Sequence, residues 1–141
     1  MMFATGKDYK SDGELRMDFP GGWAGDDKDL FSEEGRTGVE AELHDYVRTL
    51  FQWRKGKDVI HNGKTMHFMT RDNTYAFFRY NDTDKVFVYI NNSPEERTIP
   101  WSHYSEIASG LGEGTNVLTG EKVTISDSTV VPPSTALVVE Y

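Results

Sequence analysis

The apolar positions along this chain follow three regimes. From residue 1 to about 36 they are sparse and have no period. Gly6, Gly13, Gly21, Gly22, Gly25 and Gly35 recur among aspartates, with Pro20 inside the stretch. Gly and Asp supply the positive-φ and side-chain-capped geometries that turns require, so this pattern predicts loop. A loop of that length without elements of its own is unusual in a compact domain and usually carries function. Residues 37–55 switch to helical spacing, with Val39, Leu43, Tyr46, Val47, Leu50 and Phe51 on one stripe. Thr37 and Glu40 have the spacing of a capping box, Arg54 and Lys55 suit the negative end of the dipole, and Gly56 suits the position after the last turn. Such a stripe needs a surface to pack on.

From residue 57 the period becomes that of strands. In Lys85–Asn91, Val86, Val88 and Ile90 alternate with Phe87 and Tyr89, and Thr74–Tyr80 is dense in aromatic side chains. Asn81-Asp82-Thr83-Asp84 between them has the composition of a hairpin loop. Further strands are predicted over 64–69, 97–100, 116–118, 121–125 and 136–141, with turns at Asn62-Gly63 and Thr119-Gly120. Short strands, closely spaced turns and no second helical stretch predict a mainly β fold, an antiparallel β-sandwich or barrel. The chain divides into a loop and one helix over 1–56 and an all-β domain over 57–141.

Composition narrows the function. At 141 residues the chain has room for one domain. A complete β/α barrel enzyme needs roughly 250. The formal net charge is −8, shared evenly by the two parts. An acidic surface repels phosphate backbones and anionic membranes, so no nucleic-acid or membrane partner is expected. There is no cysteine, which excludes disulfides, thiolate catalysis and cysteine zinc sites. No apolar run approaches a membrane span, and the first residues lack the basic start and apolar centre of a signal peptide.

Candidate chemistry is sparse. His61 and His67 share strand parity near Asp58, but the spacing matches no zinc pattern. The acidic cluster of Asp26, Asp27, Asp29, Glu33 and Glu34 lacks the spacing of a calcium loop and reads as a solvated turn. No metal and no cofactor are expected. His44-Asp45 falls in mid-helix, where adjacent side chains point about 100° apart, and reads as a pair of surface neighbours. No nucleophile elbow, Walker loop or dinucleotide fingerprint occurs, so spacing alone gives no catalytic residue. Trp101, His103 and Tyr104 follow Pro100 in a segment that reads as loop. If exposed, their flat faces would make the domain a stand-alone carbohydrate-binding module. The competing reading, that Trp101 anchors its loop to the core, is favoured by the preference of Trp for burial.

One segment is distinctive. Gly13-Glu14-Leu15-Arg16-Met17-Asp18-Phe19-Pro20-Gly21-Gly22-Trp23-Ala24-Gly25-Asp26 resembles the region just after the eighth barrel strand in α-amylase-family enzymes (glycoside hydrolase family thirteen), especially bacterial neopullulanases and cyclomaltodextrinases. Gly35-Arg36-Thr37 and the helix ending Trp53-Arg54-Lys55 resemble that family's last barrel helix, and Ile60, Gly63-Lys64 and the strand to Phe68 its entry into the C-terminal β-sandwich, domain C. Asp29 stands where the family has Asn. The resemblance implies a Greek-key sandwich preceded by the last loop and helix of a β/α barrel. It implies a C-terminal fragment of an enzyme hydrolysing α-1,4 and also α-1,6 bonds in starch-derived glucans. The family's catalytic carboxylates sit on barrel strands that precede Met1, so no catalytic residue is expected here and the chain alone is expected to be inactive. By the same resemblance Arg16, Asp18 and Trp23 border the glucan-binding cleft. The implied partners are α-glucan, bound through the parent enzyme, and the missing catalytic barrel. Export to a bacterial periplasm or beyond is the family-based expectation for localisation.

Overall fold

A computed structural model describes residues 18–125 and 129–141. The chain falls into two compact units, Met1–Arg48 and Thr49–Tyr141. In the first, residues 18–38 run as turns and irregular loop into helix α1 (Val39–Lys55), whose second half belongs to the second unit. The Thr37 N–H donates to Glu40 Oε2 at 3.3 Å, the return half of the expected capping box.

The second unit adds a helical turn α2 (Asp58–His61) and strands β1 (Lys64–His67), β2 (Thr74–Tyr80), β3 (Lys85–Asn91) and β4 (Arg97–Thr98). A 3-10 turn (Trp101–Tyr104) and α3 (Ser105–Ala108) follow, then β5 (Glu113–Asn116), β6 (Lys122–Thr124), β7 (Val130–Val131) and β8 (Thr135–Glu140). The strands build a six-stranded sheet in the order β1-β2-β3-β8-β5-β6 and a two-stranded sheet of β4 and β7, antiparallel throughout. The chain's last strand thus lies between β3 and β5, giving the expected Greek-key sandwich.

Strand β3 explains the architecture. It is central and apolar on both faces, so it requires cover on both sides. Phe87 and Tyr89 point into the main core with Phe78, Ile99, Tyr104, Ile107 and Val139. The Phe78 and Phe87 rings lie 4.7 Å apart, and both side chains are fully buried. Val86 faces the other way, joining Val59 and Val138 in a second cluster against which Leu50 and Trp53 of α1 pack. The Trp53 indole N–H donates to Glu140 Oε2 at 3.0 Å, and Lys57 forms an ion pair with the same carboxylate. The end of the helix is therefore fixed to β8. The turn into β1 demands glycine at 63, where a Cβ would lie 2.2 Å from the Val59 carbonyl oxygen.

Two expectations change. The strand placed at 116–118 lies upstream, over Glu113–Asn116. The Asn116 side chain accepts the Leu118 N–H at 3.0 Å and its carbonyl accepts the Gly120 N–H at 2.8 Å, so Val117 and Leu118 are committed to the turn. Strand β5 instead runs through Gly114, held by pairing with β6 and β8. The helical segments α2, α3 and the 3-10 turn break the expectation of a single helix. At four residues each they are too short to show a 3.6-residue period. The β1–β2 connection is a tight turn whose Asp72 and Asn73 take φ of 49° and 58°, with reciprocal hydrogen bonds between Arg71 and Thr74.

Candidate functional site

Two surfaces were singled out by the sequence, the glycine-rich loop and the segment after Pro100. The loop is closed on itself. The Leu30 N–H donates to the Pro20 carbonyl at 3.1 Å, and Leu30 is buried while its neighbours are exposed. Within it the Asp26 carboxylate accepts the N–H groups of Gly21 at 2.7 Å and Trp23 at 3.2 Å. Gly21 has φ of 102°, and a Cβ there would meet Asp29 Oδ1 at 2.4 Å. Glycine is needed on both counts. The Phe31 N–H donates to Asp29 Oδ1 at 2.9 Å, and Arg36 donates to the carbonyls of Leu30 and Phe31. The aspartates that read as a solvated acidic cluster thus include two that hold the loop by accepting backbone donors.

What this frame presents is aromatic. Trp23 is 70% exposed. Phe19 and Phe31 meet edge to face at 4.9 Å, both largely open to solvent. Asp18 is exposed at the start of the described loop, and Arg16 lies outside the described residues. Lys28 forms an ion pair with Glu40, which ties the loop to the first turn of α1. The Lys28 hydrogen bond, helped by the Thr37 N–H, holds the Glu40 carboxyl below its ordinary pKa.

The segment after Pro100 is not an open platform. Tyr104 is buried, and burial, followed by the neighbouring Tyr89, pushes its phenol up to about 12. Trp101 packs on Phe87 with ring centroids 4.9 Å apart, and its indole N–H donates to Thr129 Oγ1 at 3.2 Å. The anchoring reading of Trp101 therefore holds: Tyr104 is turned inward, and Trp101 is half-buried against the core. The histidines are dispersed. His61 Nε2 is 3.1 Å from the Arg54 carbonyl oxygen, His67 contacts the Tyr75 hydroxyl, and His103 is exposed. His44 Nδ1 lies 3.2 Å from Asp45 Oδ1 on the helix surface, so these neighbours touch despite their diverging directions. Among the described residues no three His, Asp or Glu side chains converge on a metal-sized site.

Fold and surface define a two-sheet antiparallel sandwich entered from an amphipathic helix. The chain matches the cyclo-malto-dextrinase C-terminal domain over residues 65–140, more than half its length, and belongs to that family. The beta/alpha-amylase of Paenibacillus polymyxa is 25% identical over 109 residues, covering 77% of this chain and 9% of that protein. The chain thus spans less than a tenth of that relative's length. Among solved structures, AmyP in complex with maltose superposes with a TM-score of 0.62 at 18% identity, over 74% of this chain and 21% of that one. An Anoxybacillus α-amylase does so with a TM-score of 0.59 at 22% identity, over 74% and 23%. The trehalulose synthase MutB of Pseudomonas mesoacidophila gives 0.55 at 16%, over 70% and 17%. These structural likenesses establish the fold.

Proposed function

We propose that this chain is the C-terminal part of an α-glucan glycoside hydrolase of the α-amylase and neopullulanase type. In this reading residues 57–141 are the sandwich that covers and stabilises a β/α barrel, and residues 1–56 are that barrel's last loop and helix. The parent enzyme cleaves α-1,4 bonds, with α-1,6 as a second linkage, through carboxylates on the barrel and not on this chain. One observation supports the reading above others. The family match is preceded by a helix whose stripe is exposed: Val39, Leu43, Tyr46, Val47 and Phe51 range from 38% to 73%. A contiguous apolar face of that kind calls for a covering surface. The glucan bound by AmyP in its maltose complex is the class of substrate proposed here.

Asp18 and Trp23, with Arg16 before them, are proposed to border the substrate cleft, Trp23 offering its indole face to a sugar ring. Two measurements test the proposal. The purified chain should release no reducing sugar from maltooligosaccharides or pullulan, and release at enzyme-like rates contradicts it. In the enzyme that carries the barrel, Trp23→Ala should raise KM for maltooligosaccharides about tenfold with a smaller change in kcat. An unchanged KM removes Trp23 from the cleft.

A further inference from the structure

We propose that the second unit carries a separate pocket that binds a small molecule through a carboxylate or phosphate group. The pocket has a volume of about 450 Å³, within the range of small-ligand sites. It opens between the β1–β2 turn and the segment that follows β4. Its polar lining is dominated by donors: the guanidinium groups of Arg71 and Arg97, His103 and the Tyr104 phenol. Two guanidinium groups line it, one of them paired with Glu95, and the Asp72 carboxylate lines it as well.

Arg97 supplies one cation. Its Nη1 is 2.9 Å from Glu95 Oε2, but its Nε is buried and has no partner. That N–H is closed to a water-sized atom, so a ligand oxygen would meet the rest of the Arg97 side chain, which is 30% exposed. Arg71 supplies the second cation. It lies close enough to Tyr104 to offset part of the rise that burial imposes on that phenol. Burial nonetheless keeps the phenol protonated through the neutral range, where it serves as a further donor. Asp72 also lines the pocket and opposes an anion; it and Arg71 both sit exposed on the turn, where solvent and salt screen them alike.

The apolar lining argues for an anion over a neutral sugar. Tyr89 and Tyr104 are 2% and 6% exposed, and Phe68 meets Tyr104 edge to face at 4.8 Å. The two tyrosines offer little open face for stacking. Recognition must then come from the charged donors, and paired guanidinium groups match the geometry of carboxylate and phosphate oxygens.

The test is an amide NMR titration of the whole chain at constant ionic strength, with inorganic phosphate, acetate, glucose 1-phosphate and glucose as separate probes. The expected result is saturable shifts at Arg71, Thr74 and Thr98 with Kd on the order of millimolar for the oxyanions. Glucose should give none. A preference for phosphate over acetate, or the reverse, identifies the natural group, and tighter binding of glucose 1-phosphate than of phosphate places a sugar beside it. Arg97→Gln should weaken binding about tenfold. Because Arg97 is partly buried, Arg71→Gln on the exposed turn provides a second variant that keeps the fold and should weaken binding similarly. No saturable shift up to roughly 50 mM, binding of glucose equal to that of glucose 1-phosphate, or anion binding indifferent to Arg71→Gln would each overturn the proposal.

Discussion

The two units of this chain use their apolar residues in opposite ways. In the sandwich, Phe78, Phe87, Val86 and Val139 are fully buried and every long strand is paired. In the loop and first half of the helix, Trp23, Phe31, Val39 and Leu43 are exposed, and Leu30 alone is buried among the described residues. One unit satisfies its own hydrophobic pattern; the other leaves its pattern exposed. The difference separates two meanings of an amphipathic sequence. In β3 it specifies an internal core, and in α1, on the function proposed above, an interface.

Perturbing each unit in turn sharpens this contrast. The largest effect is expected from Phe87→Ala, which empties the centre of the sandwich and should cost about 3–5 kcal/mol in denaturant unfolding. A second effect is alkaline. The Tyr104 phenol is pushed up to about 12 and the Tyr141 phenol is also raised, both by burial. Native tyrosines ionise later than unfolded ones, so stability should be intact below pH 10 and fall as the pH rises through about 12. Circular dichroism melts across that range should show the midpoint dropping, and a flat profile would mean the two phenols are solvated. Third, Leu43→Ser should change the stability of the chain by no more than about 0.5 kcal/mol, because no core is lost. A larger loss would show that the stripe is already covered. The smallest effect is at acid pH. Glu40 is held below its ordinary value of 4.5, so its contribution is present above that pH and disappears as the pH falls further. Amide exchange at the start of α1 should accelerate there, and Glu40→Gln should remove the dependence.

Much of the sandwich was legible because its signal is local. The alternation in Lys85–Asn91 and the aromatic run of Thr74–Tyr80 gave β3 and β2 with their bounds, and Asn81–Asp84 gave the loop between them. The short helical segments were not legible, since four residues display no period. Strand β5 was misplaced because its pairing with β8 overrides the weak strand propensity of Glu113-Gly114. At the loop, Trp23 was legible as a residue but its support was not. Asp26 and Asp29 read as solvated acids, and only the fold shows them accepting backbone donors. The pocket escaped notice because Arg71 and Arg97 are 26 residues apart and no motif links them.

The central claim is that the sandwich is complete in itself while the loop and early helix await a partner. Hydrogen exchange followed by mass spectrometry on the whole chain tests it most directly. The account predicts that β3 and β8 exchange only through global opening, and that amides of residues 20–36 exchange orders of magnitude faster through local opening. Equal protection across both units would contradict it.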